Sequence, residues 1–186
     1  MQQARENLQQ SSEAMRQGNT SQALAAGTRA EQELEELQDE VRQQAANQFA
    51  ETMQGMRQEA AELERRQDEI VDQMSRAASE PSAGLRESDE KPDVREQLRE
   101  QQEQLGQLLE EMQQTVEQAE DAEPLLAQKL YDSYRRTKQQ KVEERLEQTE
   151  ELLQLNYEPQ ARELAGQSIE DLSMLREDID AAAEAV

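Results

Sequence analysis

The chain has 186 residues, of which 34% are charged, and 43 acids against 20 bases leave a net charge of −23. It holds no Cys, His or Trp, which excludes disulfides, thiolate chemistry, histidine-based triads and most zinc sites. Leu, Ile, Val and Phe amount to only 30 residues, below the roughly 20% at which a highly charged chain ordinarily folds.

Disorder is the reading such a composition first raises, and two features oppose it. The common residues are Ala, Leu, Glu, Gln, Arg and Met, all strong helix formers. The scarce apolar residues also recur at helical spacing. Helices sharing narrow seams are therefore expected, without a thick core.

The opening "MQQARENLQQ" lacks the basic flank and apolar core of a signal peptide, and no run of about 18 apolar residues follows. It starts directly on an amphipathic pattern. The closing "DIDAAAEAV" stops without a helix-ending Gly or Pro. Both ends read as cuts through a longer protein, and the compartment stays open.

A first helix breaks at Gly18, Asn19, Thr20 and Ser21. A second then carries a seam at Leu34, Leu37, Val41, Ala45, Phe49, Met53, Met56, Ala60, Leu63, Gln67, Ile70 and Met74. No Pro occurs from Ser21 to Ala78, and Gly27 and Gly55 are tolerable weak points. This predicts a helix of about 60 residues, roughly 85 Å long. The run of fours from Val41 to Met53 relaxes left-handed supercoiling.

"SEPSAGLRESDEKPD", residues 79–93, reads as a loop open to proteolysis. Asp93 is placed to cap a helix whose seam is Val94, Leu98, Leu105, Leu109, Met112, Val116 and Ala119. Pro124 either opens a new helix or kinks a continuing one. The seam resumes at Leu126, Leu130, Tyr134, Thr137, Val142, Leu146, Thr149 and Leu153. After "LNYEP" a last helix carries Ala161, Leu164, Ser168, Leu172, Leu175, Ile179, Ala182 and Val186.

Residues 8–41 align with residues 146–179 without a gap, 138 positions apart. Leu8 meets Leu146, Met15 meets Leu153, Ala23 meets Ala161, and Leu34, Leu37 and Val41 meet Leu172, Leu175 and Ile179. The turn residues Gly18 and Asn19 fall on Asn156 and Tyr157. Agreement on both sides of a turn points to a duplicated helix-turn-helix hairpin. Gly18 or Asn156 would end one helix in the left-handed conformation, and Thr20 or Ser21 would cap the next. "GNTSQALAAGTRA" locally resembles a tetratricopeptide hairpin, but the copies lack the roughly 34-residue period of such arrays.

The fold expected is all-α, an elongated antiparallel helical bundle and coiled coil over residues 1–186. In it the two related hairpins form a four-helix end. A long two-helix arm, built from the helices of residues 21–78 and 94–154, carries the 79–93 loop at its tip.

No phosphate loop, calcium loop or nucleophile elbow is present. Carboxylates abound, but without an apolar pocket none is expected to have a shifted pKa. "EQELEELQDE" reads as a solvated helix face. No catalytic, metal or cofactor residue is therefore expected, and the reading is not that of an enzyme. The net charge repels nucleic acid and anionic membrane. One exception is Lys129, Arg135, Arg136, Lys138 and Lys141, with Tyr131 and Tyr134. This group is either a docking patch for an acidic partner, or RNA, or a basic face paired with an acidic helix of the same bundle. Gln67, Gln102 and Thr137 at seam positions would fix helix register. Met53, Met56, Met74, Met112 and Met174 read as gap-filling core in preference to a peptide groove.

The stretches "MRQGNTSQALAAGTRAEQELEEL" and "QLNYEPQARELAGQSIEDLSML", with the ending "LREDIDAAAEAV", resemble the Gln/Glu/Ala-rich extramembrane coiled-coil regions of large bacterial envelope proteins. The resemblance covers less than half of the chain and carries over no functional residue. The expected function is a structural or scaffolding module, a spacer or assembly element. A helical adaptor or chaperone-like binding module is the alternative. Protein partners or self-association are expected, with no nucleic acid, membrane insertion, small-molecule substrate or cofactor.

Overall fold

A computed structural model describes residues 2–79 and 94–185. They form six helices: α1 (Gln2–Arg16), α2 (Thr20–Ser79), α3 (Val94–Ala119), α4 (Pro124–Gln140), α5 (Val142–Gln154) and α6 (Glu158–Ala183). Of the expected loop at 79–93, Ser79 is instead the last residue of α2; residues 80–93, with the Asp93 cap, and the Val186 seam position lie outside the described residues. The contacts divide the chain into two compact units, residues 1–48 and 49–186, and α2 contributes to both.

The first unit is an antiparallel hairpin of α1 and the start of α2. Its seam is Ala4, Ser11 and Ala14 against Ala23, Ala26 and Ala30, all buried. Such small side chains let two helices approach closely. Gly18, at φ +74°, ends α1. Its N–H donates to the Met15 carbonyl at 3.1 Å, and that of Asn19 donates to Ala14 at 2.9 Å, which satisfies the last carbonyls of the helix. The expected caps Thr20 and Ser21 are not used. Asn19 caps instead: its Oδ1 accepts from the Gln22 N–H at 3.4 Å, and its Nδ2 donates to Gln22 Oε1 at 2.9 Å. Asn19 fits because its short amide reaches the open N–H three residues on, and its bond to the Gln22 side chain holds it there.

The second unit is an up-down-up-down four-helix bundle: α2 from Phe49 on, α3, α4 with α5, and α6. α3 packs on α4 and α5, which pack on α6. Gln73 bonds Gln97, and Arg66 bonds Gln104, so α2 runs antiparallel to α3. Arg57 meets Asp180 at 2.5 Å and Arg176 meets Glu64 at 2.6 Å, which closes the ring between α6 and α2. The core is Met53, Met56, Leu63, Ile70, Leu98, Leu105, Leu108, Leu109, Met112, Leu126, Leu130 and Leu146, each less than 2% exposed.

The expected two-helix arm is therefore replaced. Residues 94–154 do not run in one direction. α3 stops at Ala119, Glu123 stands before the new helix and Pro124 occupies its first turn. Proline there forfeits no helical hydrogen bond, so the chain reverses. The α2–α3 pair is consequently covered by α4–α5 and α6. A second break falls at Lys141, in the left-handed region at φ 56°. The Arg145 guanidinium donates to the Gln140 carbonyl at 3.0 Å there.

Several seam positions shift by one residue. Gln101, not Gln102, is buried, and Ser133 is buried where Tyr134 was expected. Leu34 and Val41, expected in the seam, are 46% and 64% exposed. Met174 is exposed too, whereas Met53, Met56, Met74 and Met112 are core.

Candidate functional site

The basic group predicted from sequence sits on α4 and at the Lys141 break. Lys129 Nζ donates to the Ala181 carbonyl at 2.7 Å, and Arg136 Nη1 reaches both oxygens of Asp178 at 2.9 and 2.8 Å. These two side chains tie α4 to α6. Arg135 lies 3.6 Å from Asp132, Lys138 bonds Glu143, and Lys141 reaches Glu144 at 2.7 Å. The last four bases keep between 44% and 65% of their side-chain surface exposed. Exposed pairs of this kind contribute little, about 0 to 1 kcal/mol each. The patch thus has internal partners and remains open to solvent.

The turn residues Gly18, Asn19, Asn156 and Tyr157 occupy equivalent corners. Asn156 is at φ 61°, in the same left-handed region as Gly18. Its N–H donates to Leu153 and that of Tyr157 to Leu152. These are the positions matching the bonds of Gly18 and Asn19, 138 residues on. The flanking bonds Gln17 to Glu13 and Ala23 to Asn19 recur as Leu155 to Glu151 and Ala161 to Tyr157. Further in, Asn7 Nδ2 donates to Glu33 Oε1 at 3.0 Å, and the matching pair Arg145 and Asp171 is joined by a salt bridge.

A buried polar cluster links three helices of the bundle. Gln67 Nε2 donates to the Ala165 carbonyl of α6 at 2.8 Å. Gln101 Nε2 lies 3.0 Å from the Leu63 carbonyl and 2.9 Å from Gln67 Oε1. Gln67 is 0% exposed and Gln101 is 1% exposed, and Gln101 Oε1 is left without a partner. The sequence signalled Gln67 through its seam position and placed the second Gln one residue too far along.

The α2–α3 groove is shallow, about 190 Å³, and lined by Glu59, Glu62, Leu63, Gln104 and Gln107. Nearby, desolvation pushes the Glu111 carboxyl above its ordinary 4.5, and repulsion from Glu59 adds to the shift. Among the described residues no cluster of three or more acids could hold a metal ion, and no helix is long and apolar enough to cross a membrane.

The first unit carries an apolar face. With Ala4, Asn7, Ser11 and Ala14 facing α2, Leu8 and Met15 fall one step round the helix. Leu34 and Val41 take the same flank of α2, and Leu24 stands about 80–100° further round. Antiparallel packing brings these flanks to one side of the hairpin. Leu8, Met15, Leu24, Leu34 and Val41 are 51%, 67%, 73%, 46% and 64% exposed. The opposite side carries Gln3, Gln10, Gln22, Arg29 and Glu36.

No protein-family model, curated protein or solved structure matches the chain.

Proposed function

We propose that the chain is a structural module, a spacer or assembly element made of antiparallel helices. The observation that carries this reading is the Gln67–Gln101 cluster. A buried amide pair lowers stability relative to Leu but accepts only one axial alignment of α2, α3 and α6. Fixed register is what a spacer requires. We also read residues 8–41 and 146–179 as two copies of one hairpin, on the strength of the four turn hydrogen bonds that recur 138 positions apart. The resemblance to extramembrane coiled-coil regions of envelope proteins fits a modular spacer.

Spin labels test the rigidity. The chain has no native Cys, so Asp72→Cys and Glu147→Cys place two labels cleanly on exposed sites of the bundle. A single narrow distance distribution is expected, broadening when Gln67 and Gln101 are both replaced by Leu. A broad distribution in the parent chain would remove the spacer reading. The exposed basic side chains favour the adaptor alternative. A defined partner lost on Arg135→Glu with Arg136→Glu, at unchanged helicity, would put that reading in its place.

A further inference from the structure

The two hairpins differ in what covers their apolar side. In α5 and α6 the counterparts of Leu8, Leu34 and Val41 are Leu146, Leu172 and Ile179, all 0–1% exposed. Two antiparallel helices, α2 and α3, cover them. The Gln67 bond lands on Ala165, the counterpart of Gly27 at the centre of the equivalent face. A face of this design is therefore completed by an antiparallel helix pair. In the first unit the same face is bare.

We infer that this face of the first hairpin docks the same hairpin of a second copy of the chain. The two would form a four-helix bundle about a two-fold axis parallel to the helices. The inference rests on reading the two hairpins as counterparts. The covering pair needs an unfilled apolar side. Among the described residues α2–α3 already holds α5–α6, so the first hairpin is the two-helix element with a face to offer.

Charge agrees with the pairing. In the acidic run from Glu31 to Glu40, Glu35, Glu36 and Asp39 point away from the face, and Glu31 alone borders it. Arg5 borders it on α1. Within a hairpin, Asn7 lies level with Glu33, so Arg5 stands about 6 Å, little more than a turn, from the height of Glu31, a gap that two long side chains span. In the two-fold arrangement α1 lies beside α2 of the second copy, and Arg5 meets Glu31 across the rim twice. Four exposed aliphatic side chains per copy, Leu8, Met15, Leu34 and Val41, doubled and joined by the Arg5–Glu31 rim, bring the buried area to the order of the roughly 1,000 Å² that a specific interface needs.

Sedimentation equilibrium of the full chain, from micromolar to hundreds of micromolar, tests this. A monomer–dimer equilibrium is expected. Leu34→Glu with Val41→Glu, both at exposed positions, should weaken it at least about 100-fold with unchanged ellipticity. Arg5→Glu should weaken it, and adding Glu31→Arg to the same chain should restore it. A parent chain that stays monomeric throughout would overturn the inference. So would a dimer indifferent to the Leu34 and Val41 changes, or one not rescued by the charge swap. A monomer that binds phosphatidylcholine vesicles through the same leucines would assign the face to a lipid surface instead. With the doubly labelled chain diluted into unlabelled chain, the spin-label distance is that within one copy whether or not the chain pairs, so failure here is distinct from failure of the spacer reading.

Discussion

Gln67 is the side chain on which the alignment of the bundle turns. It gives one hydrogen bond to α6 and takes one from α3, with no exposure to water that could replace either. Gln67→Ala takes one of its two acceptors from Gln101 Nε2 and the side-chain donor from the Ala165 carbonyl, and it leaves a cavity. A loss of about 2 to 4 kcal/mol is expected in urea unfolding. Replacing both Gln67 and Gln101 by Leu removes the unpartnered Gln101 Oε1 as well, and should cost little or even stabilise. The contrast between the two experiments separates the worth of the hydrogen bonds from their role in alignment. Glu111 offers a second test. Its carboxyl is held above 4.5 by desolvation first and by Glu59 second. A folded pKa above the unfolded one means that the native state binds the proton more tightly. The ionised group therefore subtracts stability at neutral pH, and that cost is relieved as pH falls through the raised pKa. Glu111→Gln should raise the thermal midpoint at pH 7, and the gain should fade as pH falls through the raised pKa and be gone below 4.5.

Among the described residues, three helix boundaries rest on a left-handed residue, and one of the three is Gly. Gly18, Asn156 and Lys141 have φ of 74°, 61° and 56°. A Cβ at Gly18 meets nothing within 4 Å, so Gly18→Ala carries the backbone cost alone, about 1 kcal/mol. The reverse change at Lys141, to Gly, should gain up to a similar amount. Both are read from the urea midpoint. These residues also explain what was legible beforehand. Gly18 and Asn156 announce themselves by residue type, and Pro124 marked a boundary although its sense stayed open. Lys141 is a strong helix former in a helical run, and nothing local announces a break there. The one-residue shifts from Gln102 to Gln101 and from Tyr134 to Ser133 have a related cause. Where a seam crosses polar residues, steps of three and four are equally available, and the choice is made by the facing helix. Leu34 and Val41 fall at the spacing of threes and fours that marks a seam, yet both lie outside it. The two-helix seam prefers Ala at Ala23, Ala26 and Ala30, which pushes the larger residues to its flank. The five basic residues were legible as a cluster. Their partners Asp178 and the Ala181 carbonyl depend on how α4 meets α6, which no local pattern encodes.

At the scale of the whole molecule, the two units differ in what holds each together. The bundle buries Leu, Met and Ile side chains from four helical segments, at about 1.5 to 3 kcal/mol each. The first unit buries alanines and Ser11, and α1 is 15 residues long, near the limit below which a lone helix is marginal in water. Its hydrogen bonds, Asn7 to Glu33 and Ser11 to the Ala23 carbonyl at 2.9 Å, orient the pair more than they stabilise it. Local opening of α1 should therefore cost far less than opening of the bundle. In native-state amide exchange of the dilute chain, amides of α1 should exchange orders of magnitude faster than those around Leu105–Met112 and Leu172–Ile179. Docking of a second copy stabilises only the closed hairpin, so protection of α1 should grow with protein concentration. At a hundredfold excess over the dissociation constant the gain is about 2.7 kcal/mol, close to a hundredfold slowing, while protection at Leu105–Met112 stays unchanged. Protection of α1 that is high and independent of concentration would mean that the alanine seam suffices alone, and the exposed leucines would then need no second copy.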